Sequence, residues 1–136
     1  MRFSHATNFR GVVGHPAGVT SIKDLFYLAN GDIELSIREV ASTGYSGIEL
    51  FDGNLIEFPG GLNALKVLLT ELQINLVAVY SGANFIFTEI LDEELWRIEK
   101  AAKIAADLGA EHLVVGGGAK RFSGNTNRDY ILLGQG

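Results

Sequence analysis

Two stretches of this chain follow one pattern, and that pattern narrows the folds open to it. Ala41, Gly44, Gly47, Ile48, Glu49 and Leu50 line up with Ala106, Gly109, His112, Leu113, Val114 and Val115. In each, an alanine at a helix end precedes a glycine by three residues, and an apolar strand follows. A third stretch, from Leu69 through Leu72 and Ile74 to Val77, keeps the register without the glycine. Repeated units of strand, helix and short return loop make a parallel sheet covered by helices. Four strands fit within residues 1–136. The expected fold class is therefore α/β: a single domain, 1–136, forming the first four βα units of a parallel (β/α) barrel, a half barrel or truncated barrel.

The elements follow from periodicity and capping. Phe3 to Phe9 reads as the first strand, with an unusual polar content in Ser4, His5, Thr7 and Asn8. Residues 10–31 form a long βα loop insertion, in which Thr20, Ser21 and Asp24 signal a short helix start. Asp32 caps the first main helix, whose apolar face is Ile33, Ile37, Val40 and Ala41, and Gly44 ends it in a left-handed conformation. Gly47 to Phe51 is the second strand, and Phe51 to Asn54 a turn. Leu62, Leu65, Leu69 and Leu72 stripe the second helix, and Leu76 to Tyr80 is the third strand. Ser81 to Glu89 reads as a loop, and Asp92 as the cap of the third helix. Leu91, Leu95, Ile98, Ala102, Ala105 and Leu108 form that helix's apolar face. Leu113 to Val115 is the fourth strand, and Asn127 opens a fourth helix.

Charge and composition remove several function classes. Eleven basic and 16 acidic side chains leave a net charge of −5, which supplies no basic face for nucleic acid. With no cysteine, neither a disulfide framework nor thiolate chemistry is open to the chain. No apolar run approaches the roughly 18 residues of a membrane span, and no apolar segment of a signal peptide follows Arg2. The expectation is a cytoplasmic protein with neither nucleic-acid nor membrane partner.

The run Gly44, Tyr45, Ser46, Gly47, Ile48, Glu49, Leu50 resembles a recurrent segment of the xylose-isomerase-like barrel superfamily. Leu76 to Val79 after the second helix adds to the resemblance. So does Ala105 to Ala110 running into Leu113, Val114, Val115, Gly116 and Gly117. That superfamily includes sugar-phosphate isomerases and epimerases, inosose dehydratases and type IV apurinic endonucleases. The resemblance spans about Phe3 to Tyr130 and implies an eight-stranded barrel of TIM type, matched here over strands one to four. It implies a sugar isomerase or epimerase acting on a small sugar or polyol. A divalent metal (Mn, Mg, Co or Zn) would be held by residues on strands five to eight. The endonuclease branch fits less well, because Val115, Gly116 and Gly117 place no histidine at the exit of strand four.

Candidate site residues follow from strand alternation and from the rule that barrels place their sites at the C-terminal ends of the strands. Ile48 and Leu50 suit the helix-facing side, which turns Glu49 inward, as a substrate-hydroxyl acceptor or as half of a structural ion pair. Val77 and Val114 take the same inward level on their strands, and His112 lies at the bottom. Asn8 near the top of the first strand, Asp52 after the second and Asn84 after the third join Glu49 as substrate-binding candidates. His5 reads better as a core histidine, and His15 lies in the insertion. Tyr80, Asn84, Phe85 and Phe87 offer an apolar wall with one polar handle. Gly116, Gly117, Gly118, Lys120 and Arg121 suit an anion, but the spacing matches no phosphate-loop pattern, so a sharp turn off the strand explains the glycines as well.

Three functional expectations result. The first is the N-terminal portion of a sugar or sugar-phosphate isomerase or epimerase, supplying pocket walls but neither catalytic residue nor metal ligand, and inactive by itself. The second is a non-catalytic half-barrel that binds or assembles, consistent with open sheet edges and a homo-oligomer. The third is a dehydratase-like lyase acting on a keto-inositol.

Overall fold

The computed structural model describes residues 4–6, 26–29, 31–117 and 123–135. Within them lie four strands, β1 (Ser4–Ala6), β2 (Gly47–Phe51), β3 (Asn75–Gly82) and β4 (His112–Gly116), and five α-helices. The helices are α1 (Ile33–Ser42), α2 (Asp52–Ile56), α3 (Gly61–Glu71), α4 (Leu91–Asp107) and α5 (Asn127–Leu133), with a 3-10 turn at Thr88–Ile90. Asn8 and the expected helix start at Thr20 to Asp24 lie outside the described residues.

The strands form one sheet in the order β1-β2-β3-β4, every neighbouring pair parallel. Each strand is laid beside the one before it, so the order never reverses as it does in a doubly wound sheet. Local chemistry explains the boundaries. The Asp32 carboxylate accepts from the Leu35 amide at 2.9 Å and starts α1. Gly44, at φ +87, ends it in the left-handed region that glycine alone adopts freely. Thr126 and Asp129 form a reciprocal capping box at the start of α5.

The core lies on one face of the sheet. Ile48, Leu50, Leu76 and Val79 meet Ile33, Ile37 and Val40 of α1, Leu65, Leu68 and Leu69 of α3, and Ala105 of α4. Ile37, Ile48, Leu65 and Val79 have no exposure at all, so each contributes the roughly 1.5–3 kcal/mol expected of a fully buried aliphatic side chain. The four-leucine stripe of α3 holds, joined by Leu68.

Four expectations need correction. Residues 52–56 form a helix rather than a turn. Asp92 does not cap α4, which starts at Leu91 behind Ile90 with no side-chain cap. Of the expected apolar face of α4, Ala105 is buried and Leu108 packs on the core, but Leu95 is 42% exposed and the other buried residues are Glu94, Arg97 and Ala101. The register of the inner rows also differs. A bulge between Ile48 and Glu49 gives β3 one extra residue, Val77, so Glu49 lies level with Ala78 and, through it, with His112. Val114 is level with Tyr80 and Phe51, one row nearer the C-terminal ends. Among the described residues no helix is long and apolar enough to cross a membrane.

Candidate functional site

Alternation places Glu49 and Phe51 of β2 on the face away from the helices, since Ile48 and Leu50 fill the core. The register carries this face across the sheet in rows: Glu49, Ala78 and His112; then Phe51, Tyr80 and Val114; then Gly82 and Gly116. The upper rows are the C-terminal ends of the strands, where parallel α/β proteins bind ligands.

Aromatic rings cover this rim. Tyr80 meets Phe51 edge to face with centroids 5.5 Å apart, and meets Tyr27 in the same way at 5.6 Å. The two glycines of the top row make room for the tyrosines. A Cβ on Gly82 would lie 2.4 Å from Cε2 of Tyr27, and a Cβ on Gly116 would lie 2.2 Å from the Tyr80 hydroxyl. The Gly116 position is thus explained by the approach of a ring, rather than by a phosphate cradle or a sharp turn. Gly118, Lys120 and Arg121 fall outside the described residues.

Tyr27 reaches the rim from the first βα loop, along a strap of residues 26–29. The Tyr27 amide donates to Oδ1 of Asp52 at 2.8 Å, and its carbonyl accepts from the Gly53 amide at 2.7 Å. Asn54 takes Ala29 from both sides: its Oδ1 accepts from the Ala29 amide at 2.9 Å and its Nδ2 donates to the Ala29 carbonyl at 3.1 Å. Gly53 is obligatory, because a Cβ there would lie 2.3 Å from the Tyr27 carbonyl oxygen.

Asp52 is therefore fully buried, with both oxygens committed: Oδ1 to the Tyr27 and Gly53 amides, Oδ2 to the Ser81 hydroxyl at 2.6 Å. Burial pushes its pKa up, against the lowering by those three hydrogen bonds and by Arg97. Burial also raises the Tyr27 phenol, helped by Tyr80 beside it, so at neutral pH Tyr27 is an uncharged hydroxyl able to donate and accept. Behind the rim, Arg97 and Glu94 form a buried ion pair on α4. Arg97 donates to the Gly82 carbonyl, and Oε2 of Glu94 accepts from the Asn84 amide at 2.7 Å. This pair ties α4 to the end of β3.

Of the four residues expected to contact substrate, Asn8 is outside the described residues. Glu49 lies half-buried on the face away from the helices, about 7 Å below the aromatic row by strand rise. Asp52 leaves β2 on the opposite, core side and serves the strap. Asn84 stands past the end of β3, its backbone fixed by Glu94. Sequence reasoning found Tyr80 but missed Tyr27 and Phe51. The glycines two residues beyond Tyr80 and Val114 were the available signal, since glycine at a strand end marks a close approach.

The surface offers flat apolar rings with a carboxylate one row deeper, an arrangement suited to a small polyhydroxylated molecule. Among the described residues no three His, Asp or Glu side chains come together as metal ligands. No protein-family model matches the chain, and no curated protein matches it either.

Proposed function

We propose that this chain supplies the N-terminal βα units of a barrel enzyme of the sugar isomerase or epimerase kind, and that its inner face binds a small sugar or polyol. One observation carries the reading. A carboxylate, Glu49, and three aromatic rings, Tyr27, Phe51 and Tyr80, share the face away from the helices of a sheet whose strands run in sequential parallel order. Sequential order with the α1, α3 and α4 core packed on one side is the arrangement that curls into a barrel with its site at the C-terminal rim. In this role the rings orient the carbon skeleton, Glu49 accepts a hydroxyl, and Tyr27 stays protonated as a donor. A donor set for the divalent cation would come from elsewhere in the complete barrel.

The half-barrel binding module remains the second reading. Val114 and Val115 of the edge strand β4 are 40% and 39% exposed, an apolar border suited to further pairing.

The test is a titration of the chain, with labelled tyrosine and phenylalanine rings, against xylitol, fructose and myo-inositol and their phosphates. Saturable movement of the Tyr27, Phe51 and Tyr80 signals, lost in Glu49→Gln, supports the reading. Rings that ignore every probe at millimolar concentration overturn it. In the intact enzyme, Glu49→Gln lowers turnover while melting temperature holds. Full turnover with a fall of roughly 3–5 kcal/mol in stability would instead mark Glu49 as half of a structural ion pair.

A further inference from the structure

Asp52 and Asn54 follow β2 directly, at the position where a barrel strand ordinarily presents ligand-binding groups. Both are buried, at 0% and 3% exposure, and both are turned to the strap. Asp52 takes the Tyr27 amide, Gly53 takes the Tyr27 carbonyl, and Asn54 takes both backbone groups of Ala29. Four hydrogen bonds thus fix the strap across two consecutive odd-numbered residues, 27 and 29. One of the two residues they hold, Tyr27, places its ring over Gly82 with no room for a methyl group between. Packing alone does not require such a clamp: Phe26, the neighbour that fills apolar space, is buried to 3% exposure and has Lys100 of α4 over its ring at 5.1 Å.

We infer that Asp52 and Asn54 are positioning residues that lock Tyr27 as the specificity-determining wall of the inner-face site. Tyr27 touches the ligand, and the two clamp residues act through it. The functional meaning of the wall rests on the binding reading proposed above; the clamp itself is testable without a ligand. Its chemistry selects a small hydroxylated molecule, since a locked ring closes the rim to bulky substituents above Tyr80 and leaves one phenol hydroxyl to donate or accept.

The experiment follows the Tyr27 ring by nuclear magnetic resonance in the chain and in Asn54→Ala, Asp52→Ala, Asp52→Asn and Gly82→Ala. In the parent, the Gly82 Hα shows cross-peaks to the Tyr27 ring and a ring-current shift. Asn54→Ala and Asp52→Ala abolish both while the Ile37 and Leu65 methyl signals stay in place. Asp52→Asn, whose carbonyl still accepts from the Tyr27 amide, restores them. Gly82→Ala displaces the ring with the clamp intact, which covers the case in which a clamp variant fails to fold. Xylitol then gives the functional arm: Tyr27→Ala, Asn54→Ala and Gly82→Ala each bind about tenfold more weakly than the parent. Persistence of the Tyr27 to Gly82 cross-peaks in both alanine clamp variants would overturn the clamp, and undiminished xylitol binding by Tyr27→Ala would overturn the wall. A parent chain that binds none of the probes, yet shows the expected ring signals, refutes the binding reading and leaves the clamp standing.

Discussion

Replacing Gly53 by alanine sets two physical effects against each other, and the structure says which wins. Gly53 lies inside α2, where alanine is favoured over glycine by about 1 kcal/mol. On propensity alone Gly53→Ala would stabilise the fold. The added methyl, however, would stand 2.3 Å from the Tyr27 carbonyl oxygen and 2.9 Å from its carbon. Both are backbone atoms and cannot rotate aside, so the strap must lift. Lifting it gives up the bond from the Gly53 amide to the Tyr27 carbonyl, the bond from the Tyr27 amide to Asp52, and both bonds of Asn54 to Ala29. At about 1 kcal/mol for each of these four bonds, the loss is about 4 kcal/mol. Subtracting the helical gain leaves a net destabilisation of about 3 kcal/mol, or a fall of about 12 °C in melting temperature at this chain length. Urea denaturation followed by far-ultraviolet circular dichroism measures it. A variant as stable as the parent, or more stable, would refute the reasoning, because it would mean that the strap relaxes without losing its bonds.

Three further outcomes are expected. Glu94→Ala leaves the Arg97 charge buried without its carboxylate and costs about 3–5 kcal/mol by urea denaturation, whereas the double change Glu94→Leu with Arg97→Met recovers most of it. Because burial raises the Asp52 pKa, the folded state holds that proton more tightly than the unfolded chain. The associated stability is complete below the ordinary value of 3.8 and is lost as pH rises through the raised folded value. Melting curves from acid to neutral pH should therefore show the parent losing ground to Asp52→Asn over that window, and parallel curves would refute this. Thr126→Ala removes the capping box of α5 and costs about 1 kcal/mol. Hydrogen exchange should show the effect confined to residues 127–133.

Much of this fold was legible because its elements obey local rules. Asp32 and Gly44 bound α1, and Gly47 to Phe51 is a strand end to end, because a cap, a left-handed glycine and an apolar run each act over a few residues. The errors lie where distant contacts decide. Asp52, Gly53 and Asn54 read as a turn because each is a poor helix former, but residues 27 and 29 bind their side chains and backbone and hold them in α2. On α4 the sequence reading placed Ala105 on the inward face but missed Glu94 and Arg97, because charged side chains are rarely buried, whereas these two satisfy each other there. The row of Glu49 was misjudged by the extra residue in β3, since a bulge leaves no signature in periodicity. The candidate site was half visible: Glu49 follows from alternation and Tyr80 from the aromatic cluster at the end of the third strand, while Tyr27 is brought to them by a loop whose path no spacing rule gives.

The sequential strand order carries a consequence for how the molecule is made. Each strand finds its partner in the strand synthesised just before it, so a nascent chain leaving the ribosome can extend its sheet one βα unit at a time, without waiting for a distant segment. The strap is an exception to this vectorial growth. Tyr27 emerges early and must wait for Asp52, 25 residues later, before its amide is satisfied, and Asp52 in turn waits 29 residues for the Ser81 hydroxyl. The aromatic rim is thus completed only after β3 has formed, and the sheet precedes the cluster of rings that caps it.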